Sequence, residues 1–146
     1  MKNMKLIFMA CLLVLLAACG SKPVPEEDKK SGATKVENDI PAEEAGVKAE
    51  VKLEDEGEEA NFTLKNSSDK EIGTGVAYAL EKWEDGDWVK VDPGMMFTEQ
   101  MIMIKAGESY DQKIALKDQK AGTYRITKEF FKDEKKHIVS ALIEKK

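Results

Sequence analysis

The chain has 146 residues, 35% of them charged, with 28 acids against 23 bases and a single histidine. That length holds one modest domain, and the net charge of −5 argues against nucleic acid as a partner. Both cysteines, Cys11 and Cys19, lie near the N-terminus. The remainder therefore has no thiol for disulfides, thiol catalysis or cysteine-ligated metal.

Met1 to Met9 carries Lys2 and Lys5 without an acid, and Leu6 to Ala18 is almost unbroken apolar sequence. This run is too short for a spanning helix, which needs about 20 residues. A charged start, a short apolar run and small residues at its end are the parts of an export signal. Leu16-Ala17-Ala18-Cys19 resembles the lipobox of bacterial lipoproteins. The resemblance implies removal of residues 1–18 as a signal peptide, by cleavage between Ala18 and Cys19, and lipidation of Cys19. The protein is then expected at the cell membrane, lipid-anchored on the extracytoplasmic face, with the bilayer as its first partner.

Residues 19–46 hold repeated charges, Pro23, Pro25 and Pro41, and hardly any large apolar side chain. Such a composition does not offset the entropy of ordering, and it predicts a disordered tether reaching about 25 to 30 Å. From Val47 the pattern changes to period two. Val47, Ala49, Val51 and Leu53 alternate with charged residues, Asp55 to Glu58 turns the chain, and Ala60, Phe62 and Leu64 continue the alternation to a second turn at Asn66-Ser67-Ser68-Asp69. Residues 47–146 are the expected domain.

Asp85-Gly86 suits a two-residue hairpin loop. Counting outward pairs Trp83 with Trp88, Lys82 with Val89 and Leu80 with Val91. Tyr78, Leu80, Val89 and Val91 are then expected in the core, and Trp83, Trp88, Glu81 and Lys90 on the outer face. The paired tryptophans stabilise the hairpin by about 0.5 to 1 kcal/mol, or form a platform for a sugar ring or peptide.

Met95 to Ile104 follows Pro93-Gly94 and contains every methionine beyond the apolar N-terminal run. Three readings fit the cluster. It is an edge strand and crossing loop, or an adaptable contact surface, or a Cu(I) site in which Met101 and Met103 are joined by His137 or Met95. After a turn at Lys105 to Glu108, Tyr110, Gln112, Ile114 and Leu116 alternate. Tyr124, Ile126 and Phe130 then share one parity, Asp133 to Lys136 turns the chain, and Val139, Ala141 and Ile143 point inward in the last strand. His137 is expected in solvent.

Seven to eight short strands without a helical period predict an all-β, immunoglobulin-like antiparallel sandwich. Ala121-Gly122-Thr123-Tyr124 places a tyrosine where its hydroxyl could bond back to the preceding connection. The chain from about Ala60 to Ile143 also resembles a bacterial Ig-like domain family of exported Gram-positive proteins. The residues that carry the resemblance are Phe62-Thr63-Leu64-Lys65-Asn66-Ser67-Ser68-Asp69-Lys70, Tyr78-Ala79-Leu80-Glu81-Lys82-Trp83 with Gly86 and Trp88, Ala106-Gly107-Glu108-Ser109, and Gly122-Thr123-Tyr124-Arg125-Ile126. The family implies an Ig-like sandwich and brings neither catalytic residues nor a defined ligand.

These observations favour a non-enzymatic binding or structural module at the cell envelope, with no catalytic residue, cofactor or resident metal. Its candidate surface is Trp83, Trp88, Met95, Met96, Phe97, Met101 and Met103, facing an unidentified envelope protein, peptide or polymer. The alternatives are an exported proteinase inhibitor, which would need an exposed rigid loop, and Cu(I) binding by the methionines.

Overall fold

A computed structural model describes residues 35–146. The expected signal peptide, Cys19 and the tether as far as residue 34 lie outside the described residues. Two antiparallel sheets pack face to face. The narrower one has the order β1 (Glu43–Glu44), β2 (Val47–Glu54), β3 (Glu59–Asn66), β8 (Ser109–Ala115). The wider one contains β4 (Ile72–Gly75), β5 (Ala79–Glu84), β6 (Asp87–Val91), β7 (Met101–Ile104), β9 (Gly122–Lys132) and β10 (Lys135–Lys145). The count of ten exceeds the expected seven or eight.

The wider sheet is built on β9. One edge of β9 pairs with β10 along its whole length, from Lys132↔Lys135 to Gly122↔Lys145. The other edge is shared: β5 pairs with Tyr124 to Thr127, and β4 with Phe130 and Phe131. Between these two partners the chain bends through Val76 to Tyr78. The Thr74 hydroxyl donates to the Glu129 carbonyl there at 2.7 Å and ties β4 to β9. β6 continues the sheet beyond β5, and β7 continues it beyond β4.

The inward residues of both sheets form one core. Phe62 and Leu64 of β3 and Ile114 of β8 meet Ile72, Leu80, Tyr124, Ile126, Phe130 and Val139 from the wider sheet. Each large aliphatic or aromatic side chain so buried contributes about 1.5 to 3 kcal/mol. Tyr124 combines burial with a bond from its hydroxyl to the Lys120 carbonyl at 2.5 Å, so it ties the connection between β8 and β9 to the sandwich as the sequence suggested. Buried Asn66 closes the turn after β3 by donating to the Lys70 and Ile104 carbonyls.

Three expectations change, and Lys128, which the sequence reading left without a place, is found buried. Val89 is 44% exposed rather than in the core, because β6 is the edge of the wider sheet and its cross-strand neighbour is Lys82. Lys128 takes an inward position between Ile126 and Phe130 and is only 1% exposed. His137 is drawn out of solvent, with its ring stacked on Phe130 at 5.1 Å and its Nδ1 2.8 Å from Glu44 Oε1. The third expectation concerns the start of the domain. Residues 37–46 were assigned to the tether, yet they are bonded to the sandwich and include β1.

Candidate functional site

The hairpin of β5 and β6 has the register counted from Asp85-Gly86, with Trp83 opposite Trp88 and Leu80 opposite Val91. Asp85 and Gly86 both have positive φ, 51° and 86°, as the tight loop demands. The two indoles meet edge to face with centroids 5.1 Å apart. They are not an open platform. Trp88 Nε1 donates to the Glu37 carbonyl at 2.7 Å, and the Arg125 guanidinium lies over the Trp88 ring at 4.5 Å.

Arg125 fastens this end of the sheet. Its Nε bonds the Glu81 carboxylate, its cross-strand neighbour, at 2.7 Å, and its NH1 reaches Asp39 at 2.7 Å and Asn38 Oδ1 at 3.2 Å. The bond from Arg125 holds the Asp39 carboxyl below its ordinary range. Burial acts to lower the guanidinium pKa, but bonds to Glu81 and Asp39 outweigh it and raise the value overall. Asn38 continues the chain of contacts by donating to Ser140 Oγ at 3.0 Å. Ser140 in turn gives its hydroxyl to the Ile40 carbonyl and its N–H to the Pro41 carbonyl. Residues 37–41 thus form a strap across β10 and the tryptophan end of the outer face.

The methionine segment is treated differently along its length. Met101 and Met103 point outward from β7, while Ile102 and Ile104 face inward. Gly73 lies opposite both Met103 and Phe131 in the ladders. A Cβ added at Gly73 would come within 2.9 Å of Met101 Sδ and 3.4 Å of Met103 Sδ. The glycine is what lets both thioethers lie on the sheet. Met101, Met103 and Phe131, 57%, 55% and 40% exposed, make this end of the outer face apolar and open.

Next to it, the gap between β4 and β5 forms a recess of about 280 Å³ lined by Gly75, Ala77, Tyr78, Ala79, Thr127, Glu129 and Phe131. The buried Thr127 hydroxyl makes no hydrogen bond there.

Met95, Met96 and Phe97 precede β7 in the connection from β6. Tyr78 grips two of them: its hydroxyl donates to Met95 Sδ at 3.6 Å, and its ring meets that of Phe97 edge to face at 4.8 Å. Met96, between them, is 97% exposed.

The seven candidate residues are therefore not one surface. The tryptophans and β7 stand at opposite ends of the strand order, and the Tyr78-bound loop is a third location. Nor do the expected copper ligands converge. His137 faces inward onto Phe130 and Glu44, Met95 is held by Tyr78, and Met101 and Met103 lie on the outer face. Among the described residues no group of three or more His, Cys, Asp or Glu is placed to hold a metal ion.

Sequence reasoning overlooked Arg125, Phe131 and Lys128. Their parity on β9 was readable, with Arg125 and Phe131 outward and Lys128 inward, but the partners that give them a role come from distant segments. Lys128 Nζ donates to Gln112 Oε1 at 2.7 Å and sits 5.5 Å from the Tyr110 ring. Gln112 passes the link to the Val76 carbonyl at 2.7 Å. Without a carboxylate partner, burial pushes the Lys128 ammonium down to about 8.

Two facing antiparallel sheets, a central strand carrying a tyrosine whose hydroxyl bonds four residues upstream, and a tight hairpin at the sheet edge define an immunoglobulin-like sandwich. The profile of a family described as bacterial Ig-like domain matches residues 43–141. The chain belongs to that family. No curated protein matches it. The Ig-like domain suggests a structural or binding module rather than an enzyme.

Proposed function

We propose that the protein is a membrane-anchored extracytoplasmic lipoprotein whose Ig-like domain binds an envelope protein, peptide or polymer without catalysing a reaction. Lipid on Cys19 holds the chain to the bilayer and the charged, proline-containing segment before residue 35 spaces the domain from it. The binding surface is the open end of the outer face, formed by Met101, Met103 and Phe131. One observation carries this choice: the tryptophan end is bonded to the chain's own residues 37–39, whereas Met101, Met103 and Phe131 are large hydrophobic side chains left exposed together around Gly73. Adaptable thioethers suit such a contact.

Anchoring is tested by feeding cells a clickable fatty acid. The wild-type chain should be labelled and sediment with membranes, and Cys19→Ser should abolish both; label retained on the serine variant would refute the anchor. Binding is tested by photo-methionine crosslinking in intact cells. Adducts should form through Met101 or Met103 and be lost with the Met101→Gln/Met103→Gln double variant. Capture unchanged in that variant would remove the outer-face methionines from the surface.

A further inference from the structure

Beyond Cys19 the sequence has no cysteine, and its sulfur is carried by Met95, Met96, Met101 and Met103. A two-electron oxidant adds oxygen to such thioethers and leaves aliphatic side chains unchanged. The four sulfurs are placed differently. Met95 Sδ accepts the Tyr78 hydroxyl bond at 3.6 Å, and Met96, 97% exposed, belongs to the same loop and not to the outer face.

In β7 the order is Met101-Ile102-Met103-Ile104. Both methionines point outward, Ile102 packs against the core and Ile104 is buried. Oxidisable side chains thus take the outer positions and inert ones the inner. Gly73, opposite Met103 in the ladder, offers no side chain, and a Cβ there would lie 2.9 Å from Met101 Sδ and 3.4 Å from Met103 Sδ. The two sulfurs therefore share one spot over bare backbone. Phe131 flanks Gly73 on the other strand. Leucines in these places would make a patch that is permanently apolar, whereas thioethers make one whose polarity can change.

We infer that Met101 and Met103 form a reversible oxidation site, and that their conversion to sulfoxides by a hydroperoxide switches the open end of the outer face from apolar to polar. The inference rests on the reading of that face as the binding surface and adds its regulation. In each step a sulfur lone pair attacks a peroxide oxygen, and the S–O bond forms as the O–O bond breaks. With hydrogen peroxide, the proton on the transferred oxygen passes to the departing hydroxide and gives water. Sulfur loses two electrons and the peroxide gains them.

A sulfoxide is strongly polar, and burying its oxygen against an apolar partner leaves an acceptor unpaired. Two such groups side by side should weaken contact by about tenfold or more. Ile102 and Ile104 are untouched by the same oxidant, so the inner side of β7 stays apolar and the sandwich stays folded. Reductases specific for the two sulfoxide epimers return the thioethers.

The test uses the full chain in isolated membranes, with hydrogen peroxide as oxidant and an amine-reactive crosslinker in place of photo-methionine, which lacks the sulfur. Peptide mass spectrometry should find sulfoxide at Met101 and Met103 as well as at Met96. Capture of the envelope partner should fall by about tenfold or more and recover after treatment with both reductases. Met101→Leu/Met103→Leu keeps the patch apolar without sulfur, so its capture should match the wild type before peroxide and survive it. Met96→Leu should leave the wild-type response unaltered. Urea unfolding of the purified chain should be the same before and after oxidation; a lost folded state would make the effect one of stability and overturn the switch. Thioethers at 101 and 103 that stay reduced when Met96 is fully oxidised, or an equal loss of capture in the leucine variant, would also overturn it. Capture that persists once both sulfoxides have formed would spare the binding surface and discard its regulation alone. Absence of capture by untreated wild-type and leucine chains would remove the surface and the switch together.

Discussion

At one end of the wider sheet, Trp83 meets Trp88 edge to face, and Trp88 lies under Arg125 and is fastened to Glu37; at the other, Met101, Met103 and Phe131 lie uncovered around Gly73. Both ends are apolar, both are on the outer face, and both were candidates for contact with a partner. What separates them is polar bonding. The tryptophan end has a guanidinium that gathers Glu81, Asn38 and Asp39, so the chain's own strap becomes its occupant. The methionine end has thioethers, which attract no such partner and keep their surface available.

The largest effect that would break the contrast is expected from Arg125→Ala. It leaves Glu81 without its charge partner on a largely buried site and removes the strap's main anchor, so urea unfolding should show a loss of about 3 kcal/mol. A change below about 0.5 kcal/mol would mean that the strap is not held by this residue.

Lys128→Met should act in the opposite direction, raising stability by about 1 to 2 kcal/mol, since a well-packed apolar side chain replaces a buried cation. The wild-type chain carries the matching pH signature. The folded pKa of Lys128, about 8, lies below its ordinary value of 10.5. Below pH 8 the folded state must keep a proton on a buried amine that the unfolded state holds in water, and that penalty is relieved as pH rises from 8 towards 10.5. Unfolding free energy should therefore climb by about 2 kcal/mol between pH 8 and 10. Above pH 10 burial of Tyr78 and Tyr124, which raises their phenol pKa values, works the other way. The variant should lack the climb; an identical slope would assign it to other groups.

Ser140→Ala comes next, with a loss of about 1 kcal/mol through the strap's bonds to Asn38 and Ile40. The smallest change belongs to the open end. Met101→Gln with Met103→Gln should shift stability by less than about 0.5 kcal/mol, as expected of exposed side chains that serve contact rather than folding.

Much of this was legible where the determining contacts are local. Asp85-Gly86 set the hairpin register by counting, the alternation from Val47 to Leu64 marked β2 and β3, and Tyr124 was legible from its place at the start of the penultimate strand. The strap was not. Glu37, Asn38 and Asp39 have the composition of a tether, and they are ordered by Trp88, Arg125 and Ser140, which lie between 51 and 102 residues away in their hydrogen bonds. Lys128 was missed for a related reason, because its charge pointed outward while its parity and the distant Gln112 held it inward. For Val89 the alternation was right, but an inward parity on an edge strand did not bring burial. In the candidate surface, sequence proximity grouped residues that the fold distributes over two sheet ends and a loop.

Oxidative footprinting of the full chain, read residue by residue by mass spectrometry with and without the envelope fraction, tests the contrast most directly. The account predicts rapid labelling of Met96, Met101 and Met103, slow labelling of Trp88, and protection of Met101 and Met103 alone when the fraction is added. Protection of Trp83 and Trp88 with the methionines unchanged would contradict it.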